Sequence, residues 1–331
     1  MPVKHWSFAG LMLTYWCNAS CASCYLGCGP RRREEMSVEA ALAFWRSLHE
    51  AGPHGCRVHL SGGEPFGDWP RLIEICRRAK REGLGPLQKV ETNALWATDA
   101  AEVRDRLRAL DAAGMQKLSI SADPYHQQFV PIERCRLAAR LAGEVLGPGR
   151  VQVRWRDWLA DGQDTGELSE ADRAGLFARY AAGRRDRHTG RAANLLATGL
   201  ACKSPDDLAD NSCREALLRS RHVHVGPDGS VFPGTCAGIL LGSLAGLSDG
   251  EAAADARQLR LRLADDHAAR PIVGTLTRAG PAGLLAEARD SGFRPREAYA
   301  DKCHLCWEVR KWFVRCGRHG QELGPAGLYQ S

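Results

Sequence analysis

Short apolar runs alternate with amphipathic stretches through the first two-thirds of this 331-residue chain, and that alternation constrains the fold more than any other feature. Phe8–Thr14, Cys56–Leu60, Leu87–Thr92, Lys117–Ser121 and Val151–Trp155 read as strands. Between and after them, helical patterns cover about 37–51, 69–83, 99–114, 132–146 and 169–182. Ser37 is a good N-cap, Leu72, Ile73, Ile75 and Cys76 share one side of the second helix, and Gly114 closes the third. Strands alternating with helices of this length form parallel βα units, so the pattern predicts an α/β barrel or open part-barrel. The sixth strand, somewhere after Gly183, is not placed by the pattern.

Past residue 200 the pattern changes. His222–Phe232 reads as a hairpin about a Pro227-Asp228-Gly229 turn. Helical stretches are expected from Ser248 to about Ala269 and from Pro281 to Ser291. Residues 1–200 and 201–331 are therefore expected to be two domains, the second smaller, of α+β type and with its own metal site.

Thirteen cysteines is an odd number, and no secretory signal precedes them. A cytoplasmic location is the default, where thiols stay reduced, so cysteines kept for metal are expected rather than disulfides. They cluster: four lie between Cys17 and Cys28 and six between Cys202 and Cys316, while Cys56, Cys76 and Cys135 look like isolated buried thiols. No apolar run approaches the roughly 20 residues that span a bilayer. The net charge of +6 is modest and its basic residues are scattered, which argues against nucleic acid and suits docking of an acidic electron carrier.

Cys17-Asn-Ala-Ser-Cys21-Ala-Ser-Cys24-Tyr25 follows the first strand directly. Three thiolates so spaced can wrap one corner of an iron–sulfur cubane and leave its fourth iron open; the competing reading is a zinc knuckle with Cys28 as fourth ligand. Ser61-Gly62-Gly63-Glu64-Pro65 follows the second strand, with a glycine pair that lets backbone approach a ligand and a carboxylate that can receive an ammonium group. The two motifs together resemble the radical S-adenosylmethionine (SAM) superfamily, with its C-x3-C-x2-C loop and G-G-E-P.

The resemblance implies a partial (β/α)6 TIM-like barrel, a SAM-cleaving [4Fe–4S] cluster on Cys17, Cys21 and Cys24, and SAM contacts from Tyr25, Gly62, Gly63, Glu64 and Pro65. Weaker matches follow the strand order. Thr92-Asn93 resembles the family's T-N-G, with Ala94 in place of the glycine. Ser121 and Asp123 resemble S-x-D, which contacts the SAM ribose, and Arg154 is placed to pair with the SAM carboxylate. His126 is a candidate for substrate contact or proton transfer.

A second constellation, Cys213, Cys236, Cys303 and Cys306, can complete a closed four-thiolate site for [4Fe–4S] or zinc. The hairpin, Cys236 and Leu241-Gly242-Ser243-Leu244 resemble a SPASM/twitch auxiliary domain. Gly234-Thr235 lengthens that motif, and the seven-cysteine SPASM array is not matched, so a single-cluster twitch domain fits better. Cys202, Cys316 and Cys28 are left over as substitute ligands, hydrogen-atom donors or inert thiols.

The resemblance implies reductive SAM cleavage, with electrons from an acidic donor such as flavodoxin or ferredoxin, and hydrogen abstraction from a substrate. A small sugar, polyol or aminocyclitol, undergoing dehydrogenation or epimerisation in natural-product biosynthesis, is the favoured substrate class. A ribosomally made peptide is the alternative, and the absence of about 80 residues of leader-binding domain before the first strand weighs against it. A non-catalytic iron–sulfur or zinc-binding module would explain the cysteines but not the Gly-Gly-Glu-Pro loop.

Overall fold

The computed structural model describes residues 4–52, 54–183, 188–197, 200–209, 212–234, 236–246 and 255–330. Five of its strands match the expected positions: β1 (Phe8–Thr14), β2 (Arg57–Gly62), β3 (Leu87–Thr92), β4 (Lys117–Ile120) and β5 (Val151–Val153). Helices α1 (Val38–Glu50), α2 (Trp69–Arg81), α3 (Ala100–Ala112) and α4 (Ile132–Leu146) connect them. Ser37 caps α1 as anticipated, its Oγ accepting from Ala40 N, and Asp99 caps α3 by accepting from Glu102 N. After β5 come α5 (Arg156–Asp161), α6 (Glu170–Gly183) and α7 (Arg191–Leu195).

The missing sixth strand is β6 (His222–Val225), the first arm of the hairpin. It pairs parallel with β1, setting Phe8 opposite His222 and Gly10 opposite His224, and antiparallel with β7 (Ser230–Pro233). With β8 (Gly242–Ser243) the order is β5-β4-β3-β2-β1-β6-β7-β8, so six parallel strands form an open sheet that does not close. Four residues reading His-Val-His-Val carry too little periodicity to distinguish a parallel barrel strand from a hairpin arm.

The two faces of the sheet differ. Ala9, Leu11, Leu13, Val58, Leu60, Val90, Leu118, Ile120, Val223 and Val225 are fully buried and build the core with the helices. The register sets the other face polar: His59 lies beside Lys89, Glu91 beside Ser119, and Ser119 beside Gln152.

Three helices complete the chain: α8 (Ala256–Asp266), α9 (Pro271–Asp290) and α10 (Lys302–Arg315). The expected helix start at Ser248 and the Thr235 insertion lie outside the described residues. Asp255 caps α8. The helix expected from Pro281 is only the second half of α9, which breaks at Gly280 (φ 62°), where Pro281 lacks the N–H that a continuous helix needs. Among the described residues no helix is long and apolar enough to cross a membrane.

Candidate functional site

The C-terminal ends of the parallel strands, where active sites of such folds lie, surround a cleft of about 710 Å³. Cys17, Cys21, Cys24, Cys28 and Tyr25 line it from the loop after β1, Gly62 and Gly63 from β2, Asn93 from β3, Ser121 and His126 from beyond β4, and Arg154 from beyond β5. The loop is closed at its neck, where Cys17 N donates to Gly29 O (3.2 Å) and Gly29 N donates to Tyr15 O (3.2 Å). The three cysteines expected to hold one cluster thus face one space.

The glycine pair has a second job beside lining the cleft. A Cβ on Gly63 would stand 1.8 Å from the Trp16 carbonyl oxygen, and one on Gly62 2.3 Å from that of Thr14. The glycines let the end of β2 press against the cysteine loop, where Gly63 N donates to Thr14 O (2.7 Å) and Glu64 N to Trp16 O (3.0 Å). Glu64 itself does not line the cleft. Its buried carboxylate accepts from Asn93 N (2.7 Å), Thr92 Oγ1 (2.9 Å) and Phe66 N (3.1 Å), which ties the end of β2 to the end of β3. Burial raises its pKa to about 7. Pro65 opens the short turn that Glu64 caps.

Asn93 reaches across to the loop: its Nδ2 donates to Asn18 Oδ1 (2.9 Å) and lies 3.6 Å from Cys17 Sγ. Ala94 has φ 66°, the left-handed conformation a glycine adopts freely, so the Thr92-Asn93-Ala94 turn keeps the T-N-G shape under strain.

Asp123 is the other carboxylate among the residues expected to contact SAM. It is completely buried, off the cleft wall, and pairs with His126 Nδ1 (2.7 Å) and Arg154 (3.5 Å). Burial pushes its pKa up, but His126 and Arg154 outweigh that and hold it at about 2. Burial opposes the charge on His126, yet Asp123 and the Cys21 thiol keep its pKa well above the usual value. Asp123 therefore positions the two cations that do face the cleft.

Sequence reading missed Arg191 at the start of α7. Its Nε donates to Cys21 O (2.9 Å) and one terminal nitrogen to Cys28 O (2.6 Å), locking the loop from the far side. A lone arginine 167 positions beyond Cys24 leaves no local signal. Cys28, left unassigned by sequence, hydrogen-bonds Cys24. That bond draws Cys24 down to about 5 against burial, with help from Arg191, and holds Cys28 well above its ordinary value. Burial and the Glu64 carboxylate push Cys17 up.

Cys213, Cys236, Cys303 and Cys306 converge on a second, small and almost wholly apolar cavity. Burial and the neighbouring Cys306 thiol raise Cys213 to about 12. Buried Arg310 places Nε 3.3 Å from Cys306 Sγ, while a terminal nitrogen donates to Ala237 O (2.9 Å) and Tyr329 Oη (2.7 Å). Such a cation beside four thiols suits a site that carries net negative charge when loaded. Cys202 and Cys316 are exposed and line neither cavity, so neither is placed to act in them. Cys56, Cys76 and Cys135 are isolated and buried, as expected.

No family model and no curated protein sequence matches the chain. Among solved structures, the chain is similar to BtrN in complex with AdoMet and 2-DOIA (16% identity, 81% of this chain and 90% of that one, TM-score 0.45). It is also similar to anSMEcpe with bound AdoMet and a peptide (12%, 94% and 96%, TM-score 0.43). A third is SuiB of Streptococcus suis bound to S-adenosylmethionine (12%, 85% and 74%, TM-score 0.34). At such identity no residue of those proteins is carried over to this chain.

Proposed function

We propose that this chain is a radical SAM enzyme whose Cys17, Cys21 and Cys24 hold a [4Fe–4S] cluster with one iron open to SAM. The observation that carries the proposal is the convergence of these three thiols with the Gly62-Gly63 strand end, Ser121, His126 and Arg154 on one cleft.

When bound, cluster and SAM supply a 5′-deoxyadenosyl radical for hydrogen abstraction from an unactivated C–H bond. The chain's own contribution is placement. Arg154, held by Asp123, offers its guanidinium to the SAM carboxylate, Ser121 and the cleft-lining Gly62 and Gly63 offer polar contacts, and Asn93 supports Cys17. Glu64 keeps the β2 and β3 ends in register. Cys213, Cys236, Cys303 and Cys306 hold a second [4Fe–4S] cluster with Arg310 as counter-charge, and the part of residues 201–331 outside β6 serves as its auxiliary unit.

The polar inner face beside the cleft, with Ser61, Glu91 and Ser119, favours a hydroxyl-rich substrate such as a sugar, polyol or aminocyclitol. Of its two fates, dehydrogenation would draw on the second cluster, and epimerisation needs a thiol that returns hydrogen from the opposite face; Cys202 and Cys316 stand outside the cleft, whereas Cys28 lines it and is the leftover thiol placed for that role. The net charge of +6 suits an acidic flavodoxin- or ferredoxin-type donor.

Anaerobically reconstituted protein given dithionite and SAM should form 5′-deoxyadenosine, and a Cys17/Cys21/Cys24→Ala variant should not. Activity retained by the variant would overturn the assignment. Deuterium arriving in 5′-deoxyadenosine from a labelled peptide, and not from labelled polyols or aminocyclitols, would replace the substrate class.

A further inference from the structure

The polar face of the sheet carries a second cluster that the cysteine sites do not use. His59 on β2 and His222 and His224 on β6 flank β1, and Gly10 on β1 is the register partner of both His59 and His224. A Cβ at Gly10 would stand 2.5 Å from His59 Nε2 and 2.6 Å from His224 Cδ2. Glycine at this one position opens the space in which three imidazoles from non-adjacent strands meet.

The rings touch one another, with centroids 4.6 Å apart for His222 and His224, 5.3 Å for His59 and His222, and 5.4 Å for His59 and His224. Phe8 packs on His59 (4.8 Å) and His222 (4.5 Å), closing the lower side. One ligand nitrogen from each histidine lies within 4.8 Å of the others.

Packing alone does not account for this arrangement. His59 Nδ1, His222 Nε2 and His224 Nε2 are buried without any hydrogen-bond partner, and both His59 and His224 are 3% exposed. Buried polar atoms are nearly always paired, so three orphans in one cluster call for a ligand that accepts lone pairs. Burial holds all three rings neutral, His59 at about 3, His222 at about 4 and His224 well below the usual value. Neutral imidazole repels no cation and attracts no anion; it is the form that binds metal.

We propose that His59, His222 and His224 bind one divalent metal ion of the zinc class, separate from both iron–sulfur sites. Zn–N bonds of about 2.0–2.1 Å place nitrogens about 3.3 Å apart, a closure that small ring rotations from the present spacing supply. Imidazole-only donors suit zinc, iron(II), cobalt(II) or nickel(II) rather than magnesium or calcium. Three protein ligands leave a fourth position open, the pattern of a site that receives water or a substrate oxygen. His224 Nδ1 lies 3.2 Å from Tyr25 Oη, so in the bound form Nδ1–H donates to the tyrosine and Nε2 faces the ion. Tyr25 adjoins Cys24, so that hydroxyl ties the metal to the cleft-lining loop.

The test is cobalt(II) titration of chelator-treated protein whose iron–sulfur sites are fully loaded, read by metal analysis and by visible absorption. The wild type should take up about one cobalt per chain, with d–d bands of a tetrahedral nitrogen site and no thiolate charge-transfer band. His222→Ala, at the part-exposed member of the set, should lose that cobalt while keeping its iron content and circular dichroism. Tyr25→Phe should weaken binding by about tenfold or more. Three results would overturn the proposal: no cobalt on the wild type, cobalt bound only with thiolate bands, or cobalt retained by folded His222→Ala and His59→Ala variants. None of these readouts depends on SAM cleavage, so the histidine site can fail while the radical SAM reading stands, and the reverse.

Discussion

Gly63→Ala separates two explanations of the glycine pair, that it admits a ligand or that it admits the cysteine loop. The added methyl would lie 1.8 Å from the Trp16 oxygen and 2.5 Å from its carbonyl carbon, where ordinary contact begins at 3.4 Å. Both atoms are backbone, so no rotamer change relieves the clash; the strand end and loop must part by about 1.5 Å. That motion stretches the bonds from Gly63 N to Thr14 O and from Glu64 N to Trp16 O, each contributing about 1 kcal/mol. Overpacking adds about 1–3 kcal/mol. The expected loss is about 3–5 kcal/mol, a large share of the ~5–15 kcal/mol available to a typical fold.

Urea unfolding of the cluster-free, SAM-free protein measures this directly. Gly143→Ala is the internal standard, because it lies inside α4 with nothing within 4 Å of its Cβ position. Alanine there should stabilise by about 0.5–1 kcal/mol. If Gly63→Ala unfolds at the wild-type midpoint without ligands and loses only SAM affinity, the loop-packing explanation is wrong.

Three further outcomes are expected. Asp123 has its pKa depressed, so its stabilisation is present above its unfolded value of about 3.8 and lost as pH falls through about 2; the stability gap between wild type and Asp123→Asn should shrink by about 2 kcal/mol across that window, measured by chemical denaturation. Ala94→Gly should raise stability by about 0.5–1 kcal/mol, because relief of the left-handed strain at φ 66° exceeds the entropy that glycine adds to the unfolded chain. Cys202→Ser and Cys316→Ser should leave iron content and 5′-deoxyadenosine formation unchanged, and a loss in either would return that thiol to the mechanism.

What the sequence made legible is what local chemistry determines. Strand β3 and helix α4 stand at their expected ends because both are long, periodic and bounded by breakers. The two cysteine sets were legible because thiols in a chain without disulfide context have few other uses. The side-chain directions were not. Glu64 and Asp123 sit at motif positions that suggest ligand contact, yet each points into the protein, a distinction set by tertiary packing and invisible to spacing. Arg191 and the three histidines were illegible for the same reason: their partners are far along the chain, and Gly10, which makes the histidine cluster possible, reads locally as nothing more than a glycine in a strand.

Those inward-pointing carboxylates share a purpose that emerges only when the strand ends are followed in sheet order. Gly63 fastens β2 to the loop after β1. Glu64 then binds the Asn93 amide at the end of β3, and Asn93 reaches back to Asn18 in that loop. Ser121 N donates to Thr92 O (2.9 Å), joining β4 to β3, and Arg154 N donates to Ile120 O (3.0 Å), joining β5 to β4. Asp123 reinforces the last link through the Arg154 side chain. Every neighbouring pair of strand ends from β1 to β5 is thus bridged by groups that need no ligand. The cleft holds its cysteines, His126 and Arg154 in place before anything binds, and the radical chemistry proposed for it would gain most from such rigidity.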